Sequence, residues 1–435
     1  MIKKTLENWQ TTFAEYLQNG ETPRANWRVG IELEFFGFDA ATKQRLDSAQ
    51  IQTVLQNLAA SESDLVFENG LLAETRTPDG GKFTVEPGGQ IEFSSAPRLS
   101  LNDLERDLQI NIANVKRIGA QLGFKFLALG FDPLRRLDEQ NWFLKPRYLI
   151  MKPRLAARGR RAWDMMTRTC SVQVNLDYES ENDLSQKYIL GNRLAPIVAA
   201  IFANSPFADG NLSNLKSTRA AAWLETDDER CNVAPLALRD KISYADFVEY
   251  ALDVPMLLAA RTKSHNSNFA GKSFRDLLAA DAKFEVDLQD WQTHLTTIFT
   301  EARVKNYLEF RSADGGNLEH ALAVAALWKG LLYDDENICA ALEIAPRLTA
   351  KEFLALQKCI AEKGLKTVCG KINVLSLAKN LVTLATAGLE RIAPNETKFL
   401  EILRQQVLSR ETTAADFLLQ NWNNSIDKVF ELTEI

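Results

Sequence analysis

The sequence predicts an α+β fold: an antiparallel sheet lining a cleft, flanked by helices, with a helical C-terminal third. Three observations carry this. Four segments alternate polar and apolar residues with the period of a half-buried strand. In each of them the polar face holds acids, amides or an arginine. From about Leu318 onward the character changes to helix after helix.

Taken in order, the N-terminal stretch reads as a polar amphipathic helix ending near Gly20, not as a secretion signal. Residues 28–38 form the first strand, with Glu32 and Glu34 on one face and Val29, Ile31, Leu33 and Phe35 on the other. A short helix spans 47–59, with Asp47 or Ser48 as its N-cap. Residues 60–82 are turn-rich and lead to the stretch 83–97, FTVEPGGQIEFSSAP, the organising element of the chain. There Glu86 and Glu92 flank a Pro-Gly-Gly break suited to a bulge or a close backbone approach. Gln90, Glu92 and Ser94 share the wet face, while Ile91 and Phe93 turn to the core.

Ser100 caps a helix that Gly123 closes, and a buried strand follows at 124–133. Residues 134–161 are arginine-rich, equally an anion-facing lid or a solvated loop. Residues 171–178, SVQVNLDY, repeat the alternation with Gln173, Asn175 and Asp177 on the wet face. Helical spacing returns at 182–203, residues 262–283 read as polar loop, and 307–311 give the last such strand, with Tyr307, Glu309 and Arg311 on its wet face. In the C-terminal part Thr349 and Glu352 form a capping box and Gly364 a stop. No interdomain linker is evident, so residues 1–435 are expected to form one catalytic domain, a sheet-containing body over about 1–317 and a helical part over about 318–435.

Composition narrows the function classes. The 435 residues are 46% hydrophobic and 25% charged, ordinary for a soluble globular protein. A net charge of −6 gives no basic field for nucleic acid, and no apolar run approaches membrane-spanning length. Five scattered cysteines without a CxxC pair read as free thiols, and with them the cytoplasm is the expected compartment. His265, His294 and His320 are too scattered for a histidine-based zinc site. Cys170, two residues after Arg168, is either an activated thiol or a buried residue entering a strand.

The acids supply the chemistry. Carboxylates gathered on sheet faces suit Mg²⁺ or Mn²⁺ rather than zinc. Paired acids alone also suit glycoside hydrolysis. More than two acids with several arginines fit metal-assisted phosphoryl transfer better. No GxxxxGK[ST] loop is present to hold a nucleotide.

Longer motifs then point to a family. VGIELEFFGF, VEPGGQIEFSSAP, KPRYLIM (145–151), DMMTRTCSVQVNLD (164–177), IFANSPF (201–207), STRAAAW (217–223), YALDVPM (250–256) and HLTTIFTEARVKNYLEFRSADGG (294–316) occur in this order. Together they resemble glutamate–cysteine ligase of the plant and proteobacterial type, from Trp27 to about Asp334. The resemblance implies a glutamine-synthetase-like antiparallel sheet and ATP-dependent ligation of glutamate to cysteine through γ-glutamyl phosphate. It implies Mg²⁺ (or Mn²⁺) held by Glu32, Glu34, Glu86, Glu92 and Glu309, with Gln90 nearby. Arg303 and Arg311 would hold phosphate, Arg219 and Trp223 would grip glutamate, and Met166, Cys170, Arg147 and Tyr148 would surround cysteine. Leu33 and Phe35 stand where the family's first motif usually has histidine and lysine, and Thr300 where proline is common. A γ-glutamyl ligase with another amine acceptor, and a catalytically silent nucleotide- or amino-acid-binding relative, are the competing readings. The sequence sets no oligomeric state.

Overall fold

A computed structural model describes residues 6–143, 145–258, 271–279 and 286–435. Nine strands build the main sheet: β1 (Val29–Asp39), β2 (Leu65–Glu68), β3 (Leu71–Arg76), β4 (Lys82–Val85), β5 (Ile91–Ser94), β6 (Phe124–Leu127), β7 (Ser171–Leu176), β8 (Ala302–Val304) and β9 (Leu308–Asp314). They lie in the order β8-β9-β7-β1-β5-β4-β3-β2, with β6 paired to the far end of β1. Every pairing is antiparallel. β1 is central because its eleven residues are long enough to pair with β5 and β7 along one part and β6 along the other.

The register brings the acids together. Glu34 lies opposite Glu92 and Glu32 opposite Ser94 on one side of β1, while Glu32 faces Gln173 on the other. Farther out, Asn175 pairs with Glu309, which pairs with Arg303. Alternation does the rest. Ile31, Leu33, Phe35, Ile91, Phe93, Val172, Val174, Leu308 and Phe310 fill the core on the opposite face. Leu33 and Phe35 therefore belong to that core rather than to the wall of the cleft.

The core face packs on helices Leu101–Leu122, Glu181–Ile201 and Leu318–Leu332. The last is apolar nearly all round because it lies between the sheet and helix Val374–Ile392, with Trp328 stacked on Phe310 at 4.5 Å. The expected caps are present: Asp47, Ser100 and Thr349 each accept a backbone N–H at their helix starts, and Gly123 ends its helix in the left-handed conformation.

Three expectations change. Residues 60–82 are not merely turn; they contain the hairpin β2–β3, closed by Asn69 and Gly70 at φ 51° and 81°. Asn-Gly is the pair that a two-residue hairpin turn favours, because both positions need positive φ. The arginine-rich stretch holds helix Pro146–Ala156, started by a proline, and not a lid of free guanidinium groups. Arg158 pairs with Glu229, Arg160 with Glu225 and Arg161 with Asp164, which leaves Arg147 as the arginine of this stretch that reaches the cleft. Of the expected loop 262–283, residues 274–279 are a short helix; 262–270, with His265, and 280–283 lie outside the described residues.

Candidate active site

The polar face of the sheet floors a cleft of about 630 Å³. Helices Pro146–Ala156, Ala162–Arg168 and Thr218–Trp223 contribute its walls. The structure brings Glu32, Glu34, Glu86, Glu92, Gln90, Arg147, Tyr148, Met166, Arg219, Trp223, Arg303 and Arg311 to this one cleft; Cys170 and Glu309 are absent from its lining.

The acids repel one another. Burial first, and then Glu92 and Glu86, push Glu34 up to about 8. Burial, Glu309 and Glu92 push Glu32 up to about 6. Glu92 is raised by burial and by Glu86. Their neutral partners orient them: Ser171 N–H and Gln173 Nε2 donate to Glu34 at 2.7 and 3.1 Å. Asn175 Nδ2 donates to Glu32 at 3.0 Å, and the Thr84 and Ser94 hydroxyls donate to Glu92 at 3.1 and 3.0 Å. Buried carboxylates with amide and hydroxyl partners but mutual repulsion suit a hard divalent cation. Among the described residues no three acids or histidines converge as a ready cage. Mg²⁺ is characteristically bound by one or two carboxylates together with waters and substrate phosphates, so an open arrangement of Glu32, Glu34, Glu86 and Glu92 fits it.

Glu309 does not fit a metal. Its carboxylate is fully buried and ion-paired with Arg303, Lys305 and Arg311. Against the upward pull of burial, these cations hold it well below the usual carboxylate range. The expected ligand is instead the anchor of a buried cationic patch. Arg303 also donates to the Thr296 carbonyl at 2.9 Å, and Arg311 also donates to Gln173. Lys305 was missed in the sequence; its place two residues after Arg303 was the available signal.

Two further expectations are corrected. Cys170 is fully buried in a second apolar cluster with Phe36, Phe38, Leu127 and Leu129, and burial pushes its thiol well up. It is a core residue and no wall of a cysteine pocket. Gln90 does reach the cleft wall, but its amide is engaged with backbone. Its carbonyl oxygen accepts from Gly88 N–H at 2.9 Å, and its nitrogen donates to Thr169 O at 2.9 Å and Met166 O at 3.3 Å. It pins the Glu86–Gln90 turn against helix Ala162–Arg168. Gly88 makes that approach possible, since a Cβ there would lie 2.3 Å from Thr167 O.

The walls carry the remaining residues. Tyr148 is buried and donates to Val85 O at 3.0 Å, so its ring rather than its hydroxyl meets the cleft. Met166 packs beside it with Met151 and Met165, and Arg147 is exposed. Lys145, not anticipated, is buried in the lining, donates to Ala73 O at 3.2 Å and lies 5.8 Å from the Tyr148 ring centre, and burial lowers its pKa. Arg219 has a structural duty. One extra residue on β9 between Phe310 and Ala313 forms a bulge against β7, and Arg219 donates to the Arg311 carbonyl at 2.6 Å and the Ser312 carbonyl at 3.4 Å. Trp223 lies half-buried beside it, under the Arg311 guanidinium at 5.7 Å.

Comparison with known proteins identifies the family. Residues 28–431 match a family model described as glutamate–cysteine ligase family 2 (GCS2), so the likeness runs well past Asp334 through the C-terminal helices. Glutamate–cysteine ligase A, chloroplastic, of Oryza sativa subsp. indica is 38% identical over 426 residues, 96% of this chain and 86% of the relative. The chloroplastic enzyme of Arabidopsis thaliana is 36% identical over 427 residues, 96% of this chain and 81% of its own. That of Nicotiana tabacum is 37% identical over 427 residues, again 96% of this chain and 81% of the relative. These chloroplastic relatives overturn the expectation of a cytoplasmic protein. The fold matches a crystal structure of glutamate–cysteine ligase from Francisella tularensis in complex with AMP, with a TM-score of 0.53 and 14% identity over 94% of this chain and 91% of that one. No helix among the described residues is long and apolar enough to cross a membrane. With a family model spanning nearly the whole chain and relatives above a third identical, this chain belongs to glutamate–cysteine ligase family 2.

Proposed function

We propose that the cleft joins the γ-carboxylate of L-glutamate to the amine of L-cysteine in an ATP-dependent reaction, giving γ-glutamylcysteine, ADP and phosphate, the first step of glutathione synthesis. The observation that carries this is the division of the cleft floor. Glu32, Glu34, Glu86 and Glu92 occupy one side, and Arg303, Lys305 and Arg311 around Glu309 occupy the other. A γ-carboxylate oxygen of glutamate attacks the terminal phosphorus of ATP, and ADP leaves. The cysteine amine then attacks the acyl carbon of γ-glutamyl phosphate; phosphate leaves with the electron pair of the C–O bond, and the amine nitrogen loses a proton.

Glu32, Glu34, Glu86 and Glu92 would hold Mg²⁺, or Mn²⁺, which when bound supplies neutralisation of the phosphate oxygens. Arg311, with Arg303 behind it, stabilises charge on the transferred phosphoryl group from a fixed position. Trp223 and Arg219 border the glutamate site; Met166, Tyr148 and Arg147 border the acceptor. All of this takes place within a single catalytic domain spanning the sheet and the C-terminal helices. The test is ADP release with ATP, Mg²⁺ and glutamate, with and without cysteine, and mass-spectrometric detection of the product. Cysteine-dependent turnover with γ-glutamylcysteine as product supports the reading. ATP hydrolysis unaffected by both amino acids, or no turnover, overturns it.

A further inference from the structure

Behind Trp223 the cleft opens into a side chamber of about 30 Å³. Chamber and cleft share Arg219, Trp223, Phe299 and Arg311, and the far end of the chamber is formed by Asn232, Glu301 and Gln357. Four polar atoms of its lining are buried without a hydrogen-bond partner among the described residues: Arg219 Nε, Trp223 Nε1, Asn232 Oδ1 and Ser312 Oγ. Buried polar atoms are nearly always paired, so four orphans around one small space call for a ligand group there. Glu301 adds acceptor capacity. Its side chain receives a bond from Gln357 Nε2 at 3.2 Å, and a carboxylate has room for several more. The backbone fixes the acceptors side by side: Glu301 N–H donates to Asn232 O at 3.2 Å, and Arg311 N–H donates to Glu301 O at 3.0 Å.

The chamber admits a group about the size of one water. Its far end, Glu301 with Asn232 Oδ1, accepts hydrogen bonds; its rim, Arg219 Nε and Trp223 Nε1, donates them. That is the complement of an amino-acid head group, ammonium inward and carboxylate at the rim. Of the two amino acids in the reaction, cysteine must present its amine unprotonated to the acyl carbon, which excludes holding it as an ammonium against a carboxylate. The α-ammonium of glutamate takes no part in bond making. Arg219 lies within electrostatic range of both Glu301 and Glu34, so a glutamate anchored here extends its side chain toward the acid cluster.

Resting on the functional reading above, we propose that this chamber receives the α-ammonium of substrate glutamate, with Glu301 as the specificity-determining acceptor and Asn232 beside it.

The test compares glutamate with glutarate, which lacks the amine, as ligands of the full-length protein in the presence of ADP and Mg²⁺, by calorimetry. The parent protein should bind glutamate at least ~30-fold more tightly than glutarate, and Glu301→Gln should reduce that ratio below ~3-fold. In turnover the same substitution should raise the KM for glutamate at least ~30-fold while leaving the KM for ATP within ~3-fold. A Glu301→Gln protein that keeps the parental ratio overturns the proposal. Should Glu301→Gln fail to fold, Asn232→Gly removes Oδ1 and suits the left-handed backbone at φ 68°. That variant should reduce the ratio at least ~5-fold, and an unchanged ratio overturns the proposal equally. A parent protein that makes no γ-glutamylcysteine is a different result and counts against the functional reading instead.

Discussion

Replacing Glu309 by glutamine should destabilise the protein, whereas the same change at Glu86 should not. Glu309 is fully buried among Arg303, Lys305 and Arg311, so the amide leaves three cations facing one another without their shared counter-ion. Removing one partner of a buried ion pair typically costs about 3–5 kcal/mol. With an unfolding entropy of roughly 2.1 cal/mol/K per residue, a chain of this size changes its melting temperature by about 1 °C per kcal/mol, so Glu309→Gln should melt about 3–5 °C below the parent. Glu86 instead raises the pKa of Glu34 and Glu92 by repulsion, and Glu86→Gln relieves that; its melting temperature should equal or exceed the parent's without metal. The Glu309 effect has a definite pH dependence. Its folded pKa is depressed, so the stability it contributes is present above the unfolded value of about 4.3 and is lost as pH falls through the folded value. Thermal unfolding of the metal-free proteins by circular dichroism at pH 7 and in acid gives the measurement. Equal melting of Glu309→Gln and parent at pH 7 would refute the charge anchor.

Four other outcomes follow from the same cleft. Glu34 is raised to about 8, so the stability it contributes is full below the unfolded value of about 4.3 and lost as pH rises through 8. The metal-free protein should therefore melt lower at pH 9 than at pH 6. Mg²⁺ should bind more tightly as pH rises and release protons, measured by calorimetry in buffers of different ionisation enthalpy; pH-independent binding with no proton release contradicts the assignment. Arg303→Lys keeps a cation beside Glu309 but lacks the planar fork that also reaches Thr296 O, so kcat should fall at least ~10-fold with little change in melting temperature. A fully active lysine variant would place Arg303 outside the phosphate site. Met165 and Met166 line the cleft with soft apolar contacts that sense size; if they border the acceptor as proposed, 2-aminobutyrate should be used within about 10–200-fold of cysteine in kcat/KM while bulky amines fail, and a preference for a larger amine would exclude this wall from acceptor recognition.

Much of this arrangement was legible because strand alternation has period two. Knowing that Glu32, Glu34, Glu92, Gln173, Asn175 and Glu309 face away from the apolar residues was enough to gather them on one sheet face. Parity followed one step further puts Cys170 with Val172 and Val174, but it precedes β7 and packs instead in a separate apolar cluster with Phe36, Phe38 and Leu127. Nothing in the local spacing marks that cluster. Gln90 shows the opposite case: its parity was right, but the tight Pro87–Gly89 turn draws its amide into backbone hydrogen bonds that no spacing rule reveals. The hairpin β2–β3 had its Asn69-Gly70 signal, obscured by the surrounding turn residues. What the sequence did not contain was partner identity. Glu309 reads like the other wet-face acids until the β8–β9 register sets Arg303 directly opposite it.

That register explains why one sheet face does two kinds of electrostatic work. Strands β1 and β5, and the turn before β5, carry acids whose side-chain partners are amides, hydroxyls and one another, so their field is uncompensated and attracts a cation. Strands β8 and β9 carry three cations that share one buried acid, so their field remains positive and attracts anionic oxygen. On the functional reading proposed above, Glu34 and Glu92 would hold the divalent ion and Arg311 would meet the phosphate oxygens. Because the charges are fixed by strand pairing and by the Gln173 amide bonded to both Glu34 and Arg311, little reorganisation would be needed were charge to move onto a phosphoryl group held there. Gln173 is thus the point at which the acidic and cationic halves of the sheet face are held in register.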